Sequence, residues 1–237
     1  MAISSNTLFH FTPEFKYLKQ SIEEGLWPRY CIEKKWNSKD LAIPMLCFCD
    51  IPLSQMKDHI DEKKGYGCYG IGICKSFARD NKITPVTYLY QGSVMRNKIE
   101  YYLSNYTTPS DNLKKMDFEE LMLYYVKKVS GYNNNSELKR KFYNEREWRY
   151  IPQISKDIHL EILSGDYNED EIKNEYSERT VKSKVQLKPE DISYIIVKDE
   201  GEVKKMVEVL KKKYLNHRLL EQLYSRIITV KQIMEDF

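Results

Sequence analysis

The 237-residue sequence has little that would commit it to a membrane, a metal or a polyanion. No window approaches the roughly 20 apolar residues of a bilayer span, and the N-terminus lacks a basic-then-apolar signal pattern, so a soluble, cytoplasmic protein is expected. Cysteine is sparse. Five thiols are an odd number without a disulfide framework, and Cys47-x-Cys49 with Cys68 and Cys74 lacks the paired C-x-x-C spacing of zinc modules, so no metal is expected. Neither sign of charge dominates: 38 Lys and Arg face 35 Asp and Glu, for a net charge of +3. That balance gives no strong argument for nucleic acid, and the short lysine runs at 63–64, 114–115 and 211–213 read as solvated helix faces. There is no internal repeat and no long low-complexity linker.

What the chain does have is aromatics and alternation. Nineteen tyrosines and three tryptophans are spread along it, most of them expected in packing. Leu8-Phe9-His10-Phe11 reads as a buried strand. Thr12 is positioned to cap a helix over 13–24, whose first turn holds Pro13 and Glu14 and whose stripe of Phe15, Leu18 and Ile22 ends at Gly25. A loop at 25–30 and a polar connection at 31–40 precede the apolar run Ile43–Cys49, which reads as a central strand ended by Asp50-Ile51-Pro52. Ser54 to Lys63 reads as a helix carrying His59. The letters Gly65-Tyr66-Gly67-Cys68-Tyr69-Gly70 match the dinucleotide fingerprint, but a strand follows them where that motif needs a helix, so they read as the entry to a strand over 69–74. A short helix at 75–81 and a strand at 85–90 come next. From 92 to 144 the pattern is helical and polar, with Leu121, Tyr124, Tyr125 and Val129 as its best stripe and Asn133–Asn135 as a loop. Strands are expected at 158–162 and 193–197, a mobile loop or fraying helix at 165–180, and helices at 201–213, 216–227 and 229–236.

The densest chemistry is Glu145-Arg146-Glu147-Trp148-Arg149. On a strand, alternate parity puts Glu145, Glu147 and Arg149 on one face and Arg146 and Trp148 on the other. Two carboxylates then share one space. They serve either as part of a salt-bridged structural patch, with Trp148 in the core, or as the rim of a site where positive charge is held or formed.

The blocks Leu8–Thr12, Cys47–Ser54, Tyr69–Gly72 and Glu145–Tyr150 make the sequence resemble the AbiGi family of bacterial abortive-infection proteins. That resemblance implies a role in phage resistance, commonly on the antitoxin side of a two-gene system, and hence a partner toxin. A more distant likeness is to the ADP-ribosyltransferases, in the order of a first-strand His, a helix ending in Gly-Leu, a Cys-Phe-Cys-Asp strand leading to a Ser-bearing helix, and a late strand with Glu. Carried onto this chain, that likeness implies NAD as cofactor, His10 at the nicotinamide ribose with Thr12 beside it, Ser54 or Tyr69 in the middle motif, and Glu147 as the catalytic carboxylate. Arg29 or Arg149 would neutralise the diphosphate. Glu145 takes the first acidic place of the E-x-E form. The chain departs from that pattern in having His10 where E-x-E enzymes carry Arg, and in lacking a Ser-Thr-Ser motif.

The expectation is one α+β domain over 1–237: a split, mainly antiparallel, ADP-ribosyltransferase-like sheet surrounded by helices, with a helical insertion at about 92–144 and a helical C-terminal tail at about 201–237. The alternative function is a non-catalytic antitoxin or sensor that holds a partner through the insertion and the tail.

Overall fold

The computed structural model describes residues 5–34, 39–60, 66–132 and 139–236. The first half contains β1 (Thr7–Thr12), α1 (Phe15–Glu24), β2 (Arg29–Lys34), β3 (Asp40–Cys49), β4 (Tyr69–Cys74), α2 (Lys75–Asp80), β5 (Thr84–Pro85), β6 (Thr87–Leu89) and α3 (Val94–Asn105). The second half contains α4 (Phe118–Tyr125), β7 (Val126–Lys128), β8 (Gly131–Tyr132), β9 (Lys139–Arg140), β10 (Glu147–Tyr150), β11 (Glu161–Leu163), α5 (Glu169–Glu178), β12 (Ile192–Val197), α6 (Glu200–Lys213), α7 (His217–Tyr224), β13 (Ile227–Thr229) and α8 (Val230–Asp236).

Among the described residues nine strands form one sheet, in the order β13-β12-β4-β1-β3-β10-β5, with β2 and β11 also paired to β3. All its pairings are antiparallel except β12 with β13. The sheet divides at β3. The C-terminal half of that strand pairs with β10, from Leu46 with Tyr150 to Cys49 with Glu147. Its N-terminal half pairs with β2 on one side and β11 on the other.

Pro44 sits where the partners change. It lies opposite Tyr30 of β2, yet the Tyr30 N–H points away, to Ser177 Oγ at 3.1 Å. The pair therefore exchanges no ladder bonds, and the missing N–H of Pro44 falls on the far side, between the last partner from β10 and the first from β11. A proline in a ten-residue central strand thus leaves no donor missing from the ladder.

Two apolar layers hold the halves. Leu8, Phe48, Ile71, Ile73, Ile195 and Ile196 pack with Leu18 and Ile22 of α1 and Met206, Val209 and Leu210 of α6. Leu41, Ile43 and Met45 pack with Leu103 of α3 and Leu123 and Tyr124 of α4. α1 runs as expected, with Leu18, Ser21 and Ile22 buried and Gly25 closing it at φ 96°. Its start differs: Glu14 is the cap residue, and the Thr12 hydroxyl turns to the Glu14 carbonyl at 3.4 Å.

Other expectations are corrected. The first four residues of the supposed polar connection at 31–40 belong to strand β2, because Tyr30 and Ile32 are buried on one face while Arg29 and Glu33 alternate with them. The segment from 53 is a 3-10 turn over Leu53–Asp58, and residues 61–65 lie outside the described residues, as does the Asn133–Asn135 loop. The 92–144 insertion is only partly helical. After α4 the chain turns extended at Val126, and β7 runs parallel to β6. Of the two readings of the 165–180 stretch the helix holds, as α5 over Glu169–Glu178 capped by Asn168. The C-terminal tail is woven into the core, since Ile227 to Thr229 pair with Ile195 to Val197.

Candidate functional site

β1 touches β3 through one residue pair only, Phe9 with Cys49, and then leaves it. β2 joins the same edge of β3 further along, starting at Met45. A wedge opens between the two strands. His10 stands in it, with Nδ1 2.9 Å from the Cys47 carbonyl oxygen. That contact fixes the tautomer: Nδ1 carries the proton and donates, leaving Nε2 as an acceptor. Burial holds the imidazole pKa below its usual value, and the hydrogen bond to Cys47 opposes this only in part.

The wedge is the floor of a cavity of about 600 Å³, a size typical of small-molecule sites. Its walls include Phe9, His10 and Phe11 from β1, Arg29, Cys31 and Glu33 from β2, Cys47 and Cys49 from β3, and Lys127, Glu145 and Glu147 from the insertion and β10. Lys34, Lys128 and Lys173 add cationic groups to its lining, with Glu169 shared between Lys173 at 3.1 Å and Lys34 at 4.0 Å. Arg29 lies over the Trp27 ring, 3.7 Å from the centroid, and burial lowers its pKa.

The expected parity of the five-residue motif holds where it is a strand. Glu147 and Arg149 share the cavity face with Cys49 and Cys47, while Trp148 packs with Phe48 on the other face. Glu145 precedes the strand in a 3-10 turn, and Arg146 turns the chain at φ 45°. Both acids nonetheless converge on one cation. Lys127 Nζ lies 2.7 Å from Glu145 Oε2 and 2.5 Å from Glu147 Oε2.

Behind Glu147 stands Arg149, whose side chain is 0% exposed. Its Nε donates to Glu147 Oε1 at 2.6 Å, its Nη1 donates to the Tyr124 carbonyl at 2.7 Å, and its Nη2 pairs with Glu33. The Tyr124 carbonyl belongs to the last turn of α4, whose acceptors lack helical partners, so Arg149 also ties the insertion to the sheet. The Glu147 N–H donates to Tyr88 Oη at 2.9 Å. Burial alone would raise the Glu147 carboxyl pKa, but Arg149 and then Lys127 outweigh it and hold it far below the usual carboxylate range. Burial likewise opposes the charge on Lys127, and Glu147 and Glu145 overcome it.

Of the residues singled out in the sequence, His10, Arg29, Glu145 and Glu147 line the cavity, with Arg149 directly behind, although the register sets His10 on the sheet face of Phe48 and Trp148 and Glu147 on the face of Phe9 and Cys49. Thr12, Ser54 and Tyr69 are not among its lining residues. Ser54 is exposed on the 3-10 turn. Tyr69 bonds Glu202 of α6 at 3.2 Å and packs edge-on to Phe15. Sequence reasoning missed Lys127 and Glu33. The signals were present: Tyr124-Tyr125-Val126 is a β-prone run, and Arg29 to Lys34 alternates with period two.

These features define an α+β protein whose divided sheet carries a largely apolar cleft with a buried ion-pair network at one end. The chain belongs to the AbiGi family: the model described as "Putative abortive phage resistance protein AbiGi, antitoxin" matches residues 24–198. It is 30% identical over 228 residues to a protein of Lactococcus lactis subsp. cremoris described as "Abortive phage resistance protein AbiGi", an alignment covering 84% of this chain and 90% of the relative. No solved structure matches it. Among the described residues no helix is long and apolar enough to cross a membrane.

Proposed function

We propose that the protein acts in abortive phage resistance and that its cleft binds NAD, with Glu147 and His10 at the nicotinamide riboside. The observation carrying this reading is that His10 and Glu147, 137 positions apart in sequence, line one cavity that also has cationic groups in its lining. Breaking the nicotinamide glycosidic bond develops positive charge on the ribose, which a fixed carboxylate stabilises, as in glycoside hydrolysis. Glu147 offers such a carboxylate on a strand. His10 Nε2 accepts a hydrogen bond from a ribose hydroxyl, and Arg29 with Lys34, Lys128 or Lys173 suits a diphosphate. ADP-ribose would then pass to a nucleophile on a cellular acceptor. Thr12, Ser54 and Tyr69 carry no role in this reading.

The test is incubation of wild type and Glu147→Gln with labelled NAD and cell extract. Wild type is expected to transfer label and the variant to lose at least about a hundredfold, the loss typical of one electrostatic stabiliser. Equal labelling by the two proteins would end the catalytic claim.

A second reading rests on the antitoxin in the family description and on the engagement of both Glu147 oxygens by protein cations. In it the protein holds a partner toxin and the charge network is structural. Co-purification with the product of the neighbouring gene, unchanged in His10→Ala, would favour binding over chemistry.

A further inference from the structure

The two cations on Glu147 are not equivalent. Arg149 is wholly buried and fixed by Glu147, Glu33 and the Tyr124 carbonyl. Lys127 faces the cavity, keeps 18% of its side-chain surface exposed, and reaches the acids on a four-carbon stem from β7. β7 pairs with β6 in a two-stranded ladder separate from the main sheet. Its ammonium bridges Glu145 and Glu147, with the Phe142 ring 5.0 Å away. One cation is therefore held from three sides inside the protein, and the other reaches the acids from the cavity, at the place where a ligand would meet them.

We propose that Lys127 is a built-in counterion that closes the acidic end of the cleft until a positive charge carried by the ligand replaces it. Departure of the ammonium leaves Glu147 with Arg149 alone and takes the lysine from the buried Glu145, a loss of charge pairing that carries a large cost inside the protein. Departure of the ammonium is therefore tolerated only when another cation arrives, and a neutral group of the same shape does not open the site. The flat aromatic rings of Phe9, Phe11, Tyr66 and Phe142 on the same walls suit a planar, delocalised cation such as a pyridinium. This deepens the nicotinamide reading, because the oxidised ring is cationic and the reduced ring is not. It makes Lys127 a specificity-determining residue.

The experiment measures binding of the N-methylnicotinamide cation and of neutral nicotinamide to wild type, Lys127→Arg and Lys127→Met by calorimetry. The expected result is that Lys127→Met tightens the cation by about tenfold, one charge-assisted hydrogen bond's worth of competition, and leaves nicotinamide unchanged. Lys127→Arg stays closed. Should Lys127→Met not fold, Lys127→Gln replaces it, and wild-type protein gives an independent readout. In wild type, the ¹⁵N signal of the Lys127 ammonium should shift and its hydrogens exchange faster as the cation is added, but not with nicotinamide. Unchanged cation binding in the variants, or equal tightening for the neutral ring, overturns the inference. Tightened pyridinium binding with no NAD binding to any form keeps Lys127 in this role and removes the NAD reading instead.

Discussion

At the scale of single residues, the site turns on which charges can leave. Arg149 cannot: truncating it to Met takes the guanidinium from Glu147, Glu33 and the Tyr124 carbonyl at once. Loss of one partner from a buried pair costs about 3–5 kcal/mol, so urea denaturation should show a drop of that order. Arg149→Lys should recover only part, since one ammonium cannot reproduce the guanidinium's three directed contacts. The depressed Glu147 pKa gives a signed pH dependence. A carboxyl held more acidic in the folded state stabilises fully above the unfolded value of about 4.3 and loses that contribution as pH falls toward the folded one. Wild type should therefore lose stability steeply below about pH 5, and Glu147→Gln, already weaker at neutral pH, should show a flatter acid limb. His10 adds a milder slope of the same sign. Its folded pKa is lowered, so its contribution is complete above about 6.5 and is lost as the unfolded chain takes up the proton below that. NMR should find the imidazole neutral at pH 7 with the proton on Nδ1.

At the scale of elements, turns and close approaches decide what substitution is tolerated. Gly67 leads into β4 at φ 109°, and a Cβ there would sit 2.2 Å from the Thr12 carbonyl oxygen. Gly67→Ala should cost about 2 kcal/mol or more, combining left-handed strain with a backbone clash. A thermal melt would register it, and unchanged stability would refute the tight packing of that loop on the end of β1. The elements also show what the sequence makes legible. β1, α1, β4 and β12 are runs whose period matches their burial, so their residues announce them. Lys127 was hidden because Leu121, Tyr124, Tyr125 and Val129 scan as one helical stripe, whereas Tyr124 ends α4 within a residue and Val126 begins a strand. Helix and strand periods agree over so short a window, and the partner strand β6 that decides between them is remote in sequence. Of the five charged or aromatic positions at Glu145–Arg149, the face of each strand residue was readable from parity. The identity of the cation between the acids was not, because it comes from 18 positions upstream.

At the scale of the whole molecule, the C-terminal segment is part of the body. β13 extends the main sheet, α6 packs on α1, and Met206, Val209, Leu210, Leu220, Leu223 and Ile233 are all buried. Their burial is worth roughly 9–18 kcal/mol at about 1.5–3 kcal/mol per side chain, comparable to the entire stability of an ordinary domain. Removing residues 201–237 should therefore leave a chain with no cooperative unfolding transition by circular dichroism. A truncated form that still melted sharply would show the tail to be dispensable, and only then could its loss report on partner binding. Stability and recognition in this region are better separated by surface substitutions on α7 that leave Leu220 and Leu223 in place.

The change of partners along β3, from β1 at Cys49 to β2 at Met45, limits how the cleft can respond to an occupant. Both halves of the sheet are laced to the same ten-residue strand, so spreading the wedge would unzip Phe9 from Cys49 on one side or Arg29 from Met45 on the other. Its gape is set by the twist of one backbone. Traffic in and out must then be managed by side chains at the lip, with the framework beneath them held still.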